Sequence, residues 1–256
     1  MKRALLLAVS LPLLSTGVLA AAETRDAKAT AAAERERDAH GGTRWEKARF
    51  LRFEFNVDFG TRKVGPIAHA WDRYTGAYRV DVPGDDGYTA HFNVNAPKDV
   101  AQAVILKKGE RLSGETAEKL LAKAYGRFIN DSYWLLAPLK VLDSGVNLAD
   151  EGTADFDGQK VNVIKLSFGP VGLTPGDVYK HFLDEKTGRM LGWEYQLQGT
   201  QPPPTRWKWI EWKELSGLLL STRKVTDDGK AIFFTNVSVS EAVDAAVLAA
   251  PAAPSK

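Results

Sequence analysis

Leu51, Phe53, Phe55, Val57 and Phe59 alternate with Arg52, Glu54, Asn56 and Asp58. A period of two puts the apolar set on one face of an extended chain and the polar set on the other. One face must be dry and the other wet, so this segment predicts a half-buried strand. Any fold for the chain has to supply a sheet with a covered side.

Turn signals then recur between short alternating runs: Thr75-Gly76, Asp86-Gly87, Asp157-Gly158, Thr187-Gly188 and Asp228-Gly229. Glycine after a small polar residue permits the positive φ of tight hairpins, so each pair joins two antiparallel neighbours. The runs between them predict strands at 69–74, 78–82, 89–94, 161–168, 178–183, 191–197, 207–212, 218–225 and 231–239. Sequential hairpins over this distance make a large antiparallel meander. Pro202, Pro203 and Pro204 cannot join a central ladder and predict a stiff loop. Gly169, Gly172 and Gly176, beside Pro170 and Pro175, predict a connection between strands.

Two helices interrupt the strands. Residues 23–40 are rich in Ala and charge, with Gly41-Gly42 as a stop. Ser113 can cap a second helix with Glu115 in its first turn, and Ala117, Leu120, Leu121, Ala124 and Phe128 recur at helical spacing. Pro138 is expected to close it. The fold class is mainly β (α+β): one extended antiparallel sheet with a helix at its start and one in its middle.

The N-terminus reads as a secretory signal over residues 1–22. Lys2 and Arg3 precede a short apolar run from Ala4 to Leu14, broken by Pro12, and small residues follow at 18–22. The run is too short for the roughly 20 residues that cross a bilayer. With no Cys in the chain, no lipid anchor can form at the cleavage point. The expectation is a soluble periplasmic protein, not lipid-anchored and with no transmembrane segment after cleavage. Its expected parts are a signal peptide at 1–22, a single domain at 23–241 and a flexible Ala/Pro tail at 242–256.

Composition excludes several function classes. The 34 Lys+Arg and 32 Asp+Glu become equal once Lys2 and Arg3 are removed. A near-neutral chain is a poor general polyanion binder, so no nucleic-acid partner is expected. Interleaved aromatics and bases at Arg206–Lys213 fit a strand with Trp207 and Trp209 on one face and Lys208 on the other. The absence of Cys removes disulfides, thiol catalysis and thiolate metal sites. His40, His69, His91 and His181 show no metal-ligand spacing, although His69 and His91 could meet across strands. Asp155-Phe156-Asp157-Gly158 opens like a calcium loop, but the remaining ligands do not follow, and a hairpin turn explains it. There is no nucleophile elbow and no phosphate loop. No catalytic residue, metal site or cofactor is implied.

What stands out is aromatic quantity: seven Trp, eleven Phe and seven Tyr, largely on strands of one sheet. Either the sheet curls until these side chains fill its interior, or it leaves a hollow for a lipid. About fifteen buried methylenes at ~0.8 kcal/mol each would supply on the order of 12 kcal/mol gross, and such a site needs no polar motif.

Three stretches, Ser132–Leu148, Gly172–Tyr195 and Trp207–Val225, with the His40-Gly41-Gly42 turn, carry a resemblance. Together they resemble an exported bacterial family of uncharacterised function, related in fold to the LolA-type periplasmic lipoprotein carriers. The resemblance covers roughly residues 28–240. It implies a strongly curved antiparallel sheet, an unclosed β-barrel with helices in or over its concave face. It also implies a non-catalytic carrier for a lipid or acylated protein, and leaves room for donor and acceptor proteins at the inner and outer membranes. Strand parity then places Leu51, Phe53, Phe55, Val57, Tyr195, Leu197, Trp207 and Trp209 on the concave, ligand-binding face. Two alternatives stay open: an envelope scaffold whose hollow is self-filled, and a hydrolase with dispersed catalytic residues.

Overall fold

A computed structural model describes residues 23–169 and 173–251; the expected signal peptide at 1–22 lies outside the described residues. The chain opens with α1 (Ala27–Ala39), a helical turn α2 (Arg44–Lys47) and five hairpin-linked strands: β1 (Phe50–Asp58), β2 (Lys63–Asp72), β3 (Ala77–Val82), β4 (Tyr88–Asn93) and β5 (Val104–Lys107). The short β6 (Glu110–Arg111) leads into the long helix α3 (Gly114–Lys140). Then come β7 (Val146–Phe156), β8 (Gln159–Phe168), β9 (Val178–Asp184) and β10 (Met190–Gln196). The chain continues through β11 (Thr205–Leu215), β12 (Leu218–Val225), β13 (Ala231–Ser240) and a turn of helix, α4 (Ala245–Leu248).

Among the described residues thirteen strands form one antiparallel sheet in the order β6-β5-β4-β3-β2-β1-β13-β12-β11-β10-β9-β8-β7. It is strongly curved and unclosed, since β6 and β7 are its two edges. The first and last long strands meet in the middle, with Phe55 opposite Phe234 and Val57 opposite Ile232. All five Xaa-Gly pairs sit in hairpin connections, as expected. At Asp157-Gly158, the Gly158 N–H donates to Asp155 Oδ1 at 3.0 Å, which makes the calcium-like segment a turn. Residues 24–26 lie along the β7 edge, where the Leu148 and Asp26 amides exchange hydrogen bonds with the opposite strand at 2.9 Å. This cover blunts an edge that would otherwise offer unpaired backbone.

Three strands are additional to the sequence reading: β5, β6 and β7. Of these, β7 carries Asp150, Glu151 and Asp155 and a register shift between Asp150 and Thr153, so its alternation is broken. The helices also differ in extent. Asp26 caps α1, its Oδ1 accepting from the Lys28 and Ala29 amides at 2.8 and 3.0 Å. Ser113 stands at the start of α3 but makes no side-chain capping bond. Pro138, expected to end that helix, lies inside it. Residues 131–139 are buried apart from Tyr133, which is half-buried, and a helix apolar around most of its girth belongs inside a fold.

This buried stretch of α3 lies in the concavity. One core joins it to the concave face of the sheet, and α1 packs against β7, β8 and α3 through Ala29 and Ala33. A second, small cluster of Phe156, Val161, Val163 and Phe182 covers part of the opposite face. The Arg206 guanidinium lies 5.4 Å and 5.2 Å from the Phe156 and Phe182 rings. On that outer face too, Arg79 Nη1 donates to Val247 O and His91 Nδ1 meets Leu248 O, each at 3.1 Å. Residues 245–248, within the segment expected as a flexible tail, are thus a helical turn held to the sheet.

Candidate functional site

Trp134 of α3 drops into the aromatic floor of the sheet. Its ring centroid lies 4.6 Å from Trp193, 5.0 Å from Trp207 and 5.9 Å from Tyr195, each pair near edge-to-face. Such pairs add about 0.5–1.5 kcal/mol beyond the area they bury. The centre of the hollow is therefore filled by the protein's own side chains.

All eight residues placed on the concave face by parity lie on the side α3 covers. Leu51, Phe53, Phe55, Trp207 and Trp209 are buried members of the core, and Val57 and Tyr195 are half-buried against it. Leu197 is different: it is 39% exposed and borders an open cleft.

That cleft has a volume of about 470 Å³ and runs between α3 and one end of β7–β10. Phe128, Ile129, Tyr133 and Trp134 form its helical wall, and Val146, Phe168 and Tyr179 its sheet wall. Leu173 and Leu197 stand at its rim. The described residues expose four large hydrophobic side chains, and these are two of them, Leu173 at 56%. Asp177 holds this rim together. Its Oδ2 accepts from Thr174 Oγ1 at 2.6 Å, and its Oδ1 from the Gln198 amide at 2.7 Å. Burial pushes the Tyr133 and Tyr179 phenols above their ordinary range, so both remain protonated at neutral pH. The Tyr133 hydroxyl is out of reach of solvent and has no hydrogen-bond partner among the described residues.

A smaller cleft of about 310 Å³ lies on the other flank of α3, lined by Val82, Tyr88, Lys123, Gly126, Arg127 and Asn130. Both volumes fall in the range of ordinary small-molecule sites.

The histidines lie elsewhere. His69 and His91 point to opposite faces and do not meet. His69 Nδ1 is 2.7 Å from Tyr78 Oη, and its Nε2 is 3.2 Å from Asp131 Oδ2 on α3. A histidine and a carboxylate do converge here, but both side chains are fully buried rather than lining an open cleft. His181 and Glu36 form a second buried pair at 2.9 Å. Lys224 is also buried, with Nζ donating to Ser221 O at 2.6 Å and lying 4.3 Å from the Trp209 ring and 4.4 Å from the Phe234 ring. Desolvation holds its ammonium well below the usual lysine range. Among the described residues no three His, Asp or Glu side chains gather in a metal-like group. On β11, Lys208 pairs with Asp157 at 2.9 Å and Asp227 at 2.8 Å, so its charge is spent on neighbouring hairpins.

Strand parity named residues of the packed concave face and, at the cleft's rim, Leu197. Of the cleft lining, Phe128 was visible as a helical-face residue. Leu173, Phe168 and Tyr179 carry no motif, because an apolar wall needs none.

The sequence matches no family model and no curated protein. Solved structures do match over nearly the whole chain. A LolA superfamily protein from Nitrosomonas europaea aligns with a TM-score of 0.50 at 9% identity, covering 87% of this chain and 97% of that one. The chain has a LolA-like fold. A DUF1329 family protein from Desulfovibrio piger aligns with a TM-score of 0.49 at 10% identity, covering 86% and 97%. At these identities the LolA-like likeness is one of architecture, and function has to be argued from the site. No helix among the described residues is long and apolar enough to cross a membrane.

Proposed function

We propose that this LolA-like protein binds a lipid, or the acyl chain of a lipidated protein, in the cleft between α3 and the ends of β7–β10. It acts there as a non-catalytic carrier in the periplasm, exported by residues 1–22 and folded as one domain over 23–241. The observation that carries the reading is the cleft itself: a mainly apolar cleft of about 470 Å³ with Leu173 and Leu197 left exposed at its rim. Exposed apolar side chains gathered at one groove mark a binding site more often than scattered ones. In this reading Leu197 touches the ligand and Tyr195 lies behind it. Leu51, Phe53, Phe55, Val57, Trp207 and Trp209 form the packed floor on which α3 rests. Donor and acceptor proteins at the two membranes would hand the ligand on.

The test is native mass spectrometry of the mature protein purified from its own periplasm, with organic extraction of whatever co-purifies. A stoichiometric lipid adduct is expected. A bare mass that also refuses added lipid overturns the proposal. It would favour a scaffold instead, the reading that the self-filled centre around Trp134 supports.

A further inference from the structure

We propose that the lipid carries an anionic, phosphate-bearing headgroup, held at Lys123 and Arg127 while its acyl chain crosses Gly126 into the apolar cleft. This rests on the lipid-binding reading above and specifies its ligand.

The two clefts are not independent, because Gly126 and Asn130 line both. Lys123, Gly126, Arg127 and Asn130 recur at helical spacing and so share one face of α3. Gly126 lies at the crossing point. Glycine is the poorest interior helix former after proline, and packing does not require it here. A Cβ at this position would meet only the Leu173 Cδ1, at an ordinary 3.8 Å. What the missing side chain provides is a bare stretch of helix between the two clefts.

Among the described residues lining the larger cleft the one cation, Lys140, is ion-paired with Asp143; the smaller cleft is different. Its six lining residues include two cations and no carboxylate. One turn earlier, Lys119 is paired with Glu115 at 2.6 Å, whereas Lys123 has no ion pair among the described residues. Arg127 reaches Asp131 only at 3.6 Å, and that carboxylate already accepts from Asn130 Nδ2 at 2.8 Å and faces His69. The guanidinium therefore keeps donors for a second partner, and its planar fork suits a phosphate. Tyr88 and Val82 give the headgroup region a partly apolar wall. The larger cleft is walled mainly by Phe128, Ile129, Tyr133, Trp134, Phe168 and Tyr179, and its carboxylates are already engaged, Asp143 by Lys140 and Asp177 by Thr174 and the Gln198 amide. An amphiphile with one charged end matches this division; a neutral lipid leaves the cations unused.

The experiment titrates the full chain with dioctanoyl phosphatidylglycerol, dioctanoylglycerol and inorganic phosphate, each as monomer, and follows tryptophan fluorescence and heat. Phosphatidylglycerol is expected to bind about tenfold tighter than dioctanoylglycerol, as charge-assisted bonds to one phosphate would give. Lys123→Ser and Arg127→Gln should remove that preference, and Gly126→Leu should weaken both lipids. Melting curves identify any variant that fails to fold, and the exposed Lys123→Ser keeps the test open if Arg127→Gln does. Equal binding of the two lipids, unchanged in Lys123→Ser, overturns the headgroup assignment and leaves the lipid-binding reading standing. Failure of all three ligands to bind removes both. Phosphate binding as tightly as the phospholipid also overturns the proposal, because the smaller cleft would then be a free-anion site.

Discussion

The Trp134 ring of α3 lies 4.6 Å from the Trp193 ring of β10, at an interplanar angle of 72°. This contact decides which part of the half-barrel is solid and which is open. Trp134 plugs the floor of the curved sheet, and the cleft survives only beside it, toward Leu173 and Leu197.

Trp134→Ala should cost about 3–5 kcal/mol, as expected for a large aromatic removed from a core. Trp134→Phe should cost less. Urea unfolding at neutral pH checks both. A Trp134→Ala variant as stable as the parent would mean that α3 does not pack into the sheet as described.

His40 makes the fold sensitive to acid. Its Nδ1 donates to Leu219 O at 2.9 Å, and its Nε2 accepts from the Met190 amide at 3.1 Å. The second bond requires a neutral ring; the first would survive protonation and by itself favours the charged form. Desolvation, first, and the nearby Arg189, His181 and Lys224 lower its pKa to about 4 from 6.5. A histidine depressed in the folded state binds protons first in the unfolded chain. Its stabilisation is therefore complete above pH 6.5 and is lost as the pH falls toward 4, on the order of 3 kcal/mol in all. Urea midpoints at pH 7.5 and 4.5 measure the loss. In His40→Asn, which keeps a donor but does not titrate, the difference between the two pH values should shrink.

Glu36 ties α1 to β9 through His181, with both side chains fully buried. Removing one partner of such a pair typically costs about 3–5 kcal/mol. Glu36→Ala should fall in that range, and Glu36→Gln, which can still accept from His181, should cost less. Equal losses in the two variants would show that the hydrogen bond contributes nothing.

Alternation and turn chemistry made much of this architecture legible. The period of two in β1 reported which side chains face inward, and five glycine-containing turns reported the hairpins. On the later strands Tyr195, Leu197, Trp207 and Trp209 all lie on the side that α3 covers. Parity says which face is dry but not what dries it. Residues 133–139 surround α3 with largely apolar side chains, and Pro138 read as a stop although the helix runs on to Lys140. Which residues fill the hollow was hidden for that reason. Strand β7 was hidden by its own acids, and β5 and β6 by their shortness.

Phe53 shows what this means for testing the site. It is 1% exposed and stacks on His69 at 4.5 Å. Phe53→Asp would bury a carboxylate in the core, so its expected effect is unfolding rather than a clean loss of ligand. A circular dichroism melt should show this variant strongly destabilised, and a native-like melt would contradict the packing around β1.

The most direct test of the central claim uses the rim instead. Phospholipid with bromine along its acyl chains quenches tryptophan at contact range, and Trp134 lines the cleft. In the parent protein, brominated phosphatidylglycerol should quench fluorescence saturably. In Leu173→Asp and Leu197→Asp, which alter exposed positions and should keep the parent's melting behaviour, about tenfold more lipid should be needed. Saturable quenching that both variants leave unchanged would place the lipid elsewhere, and no quenching in the parent would contradict the carrier account.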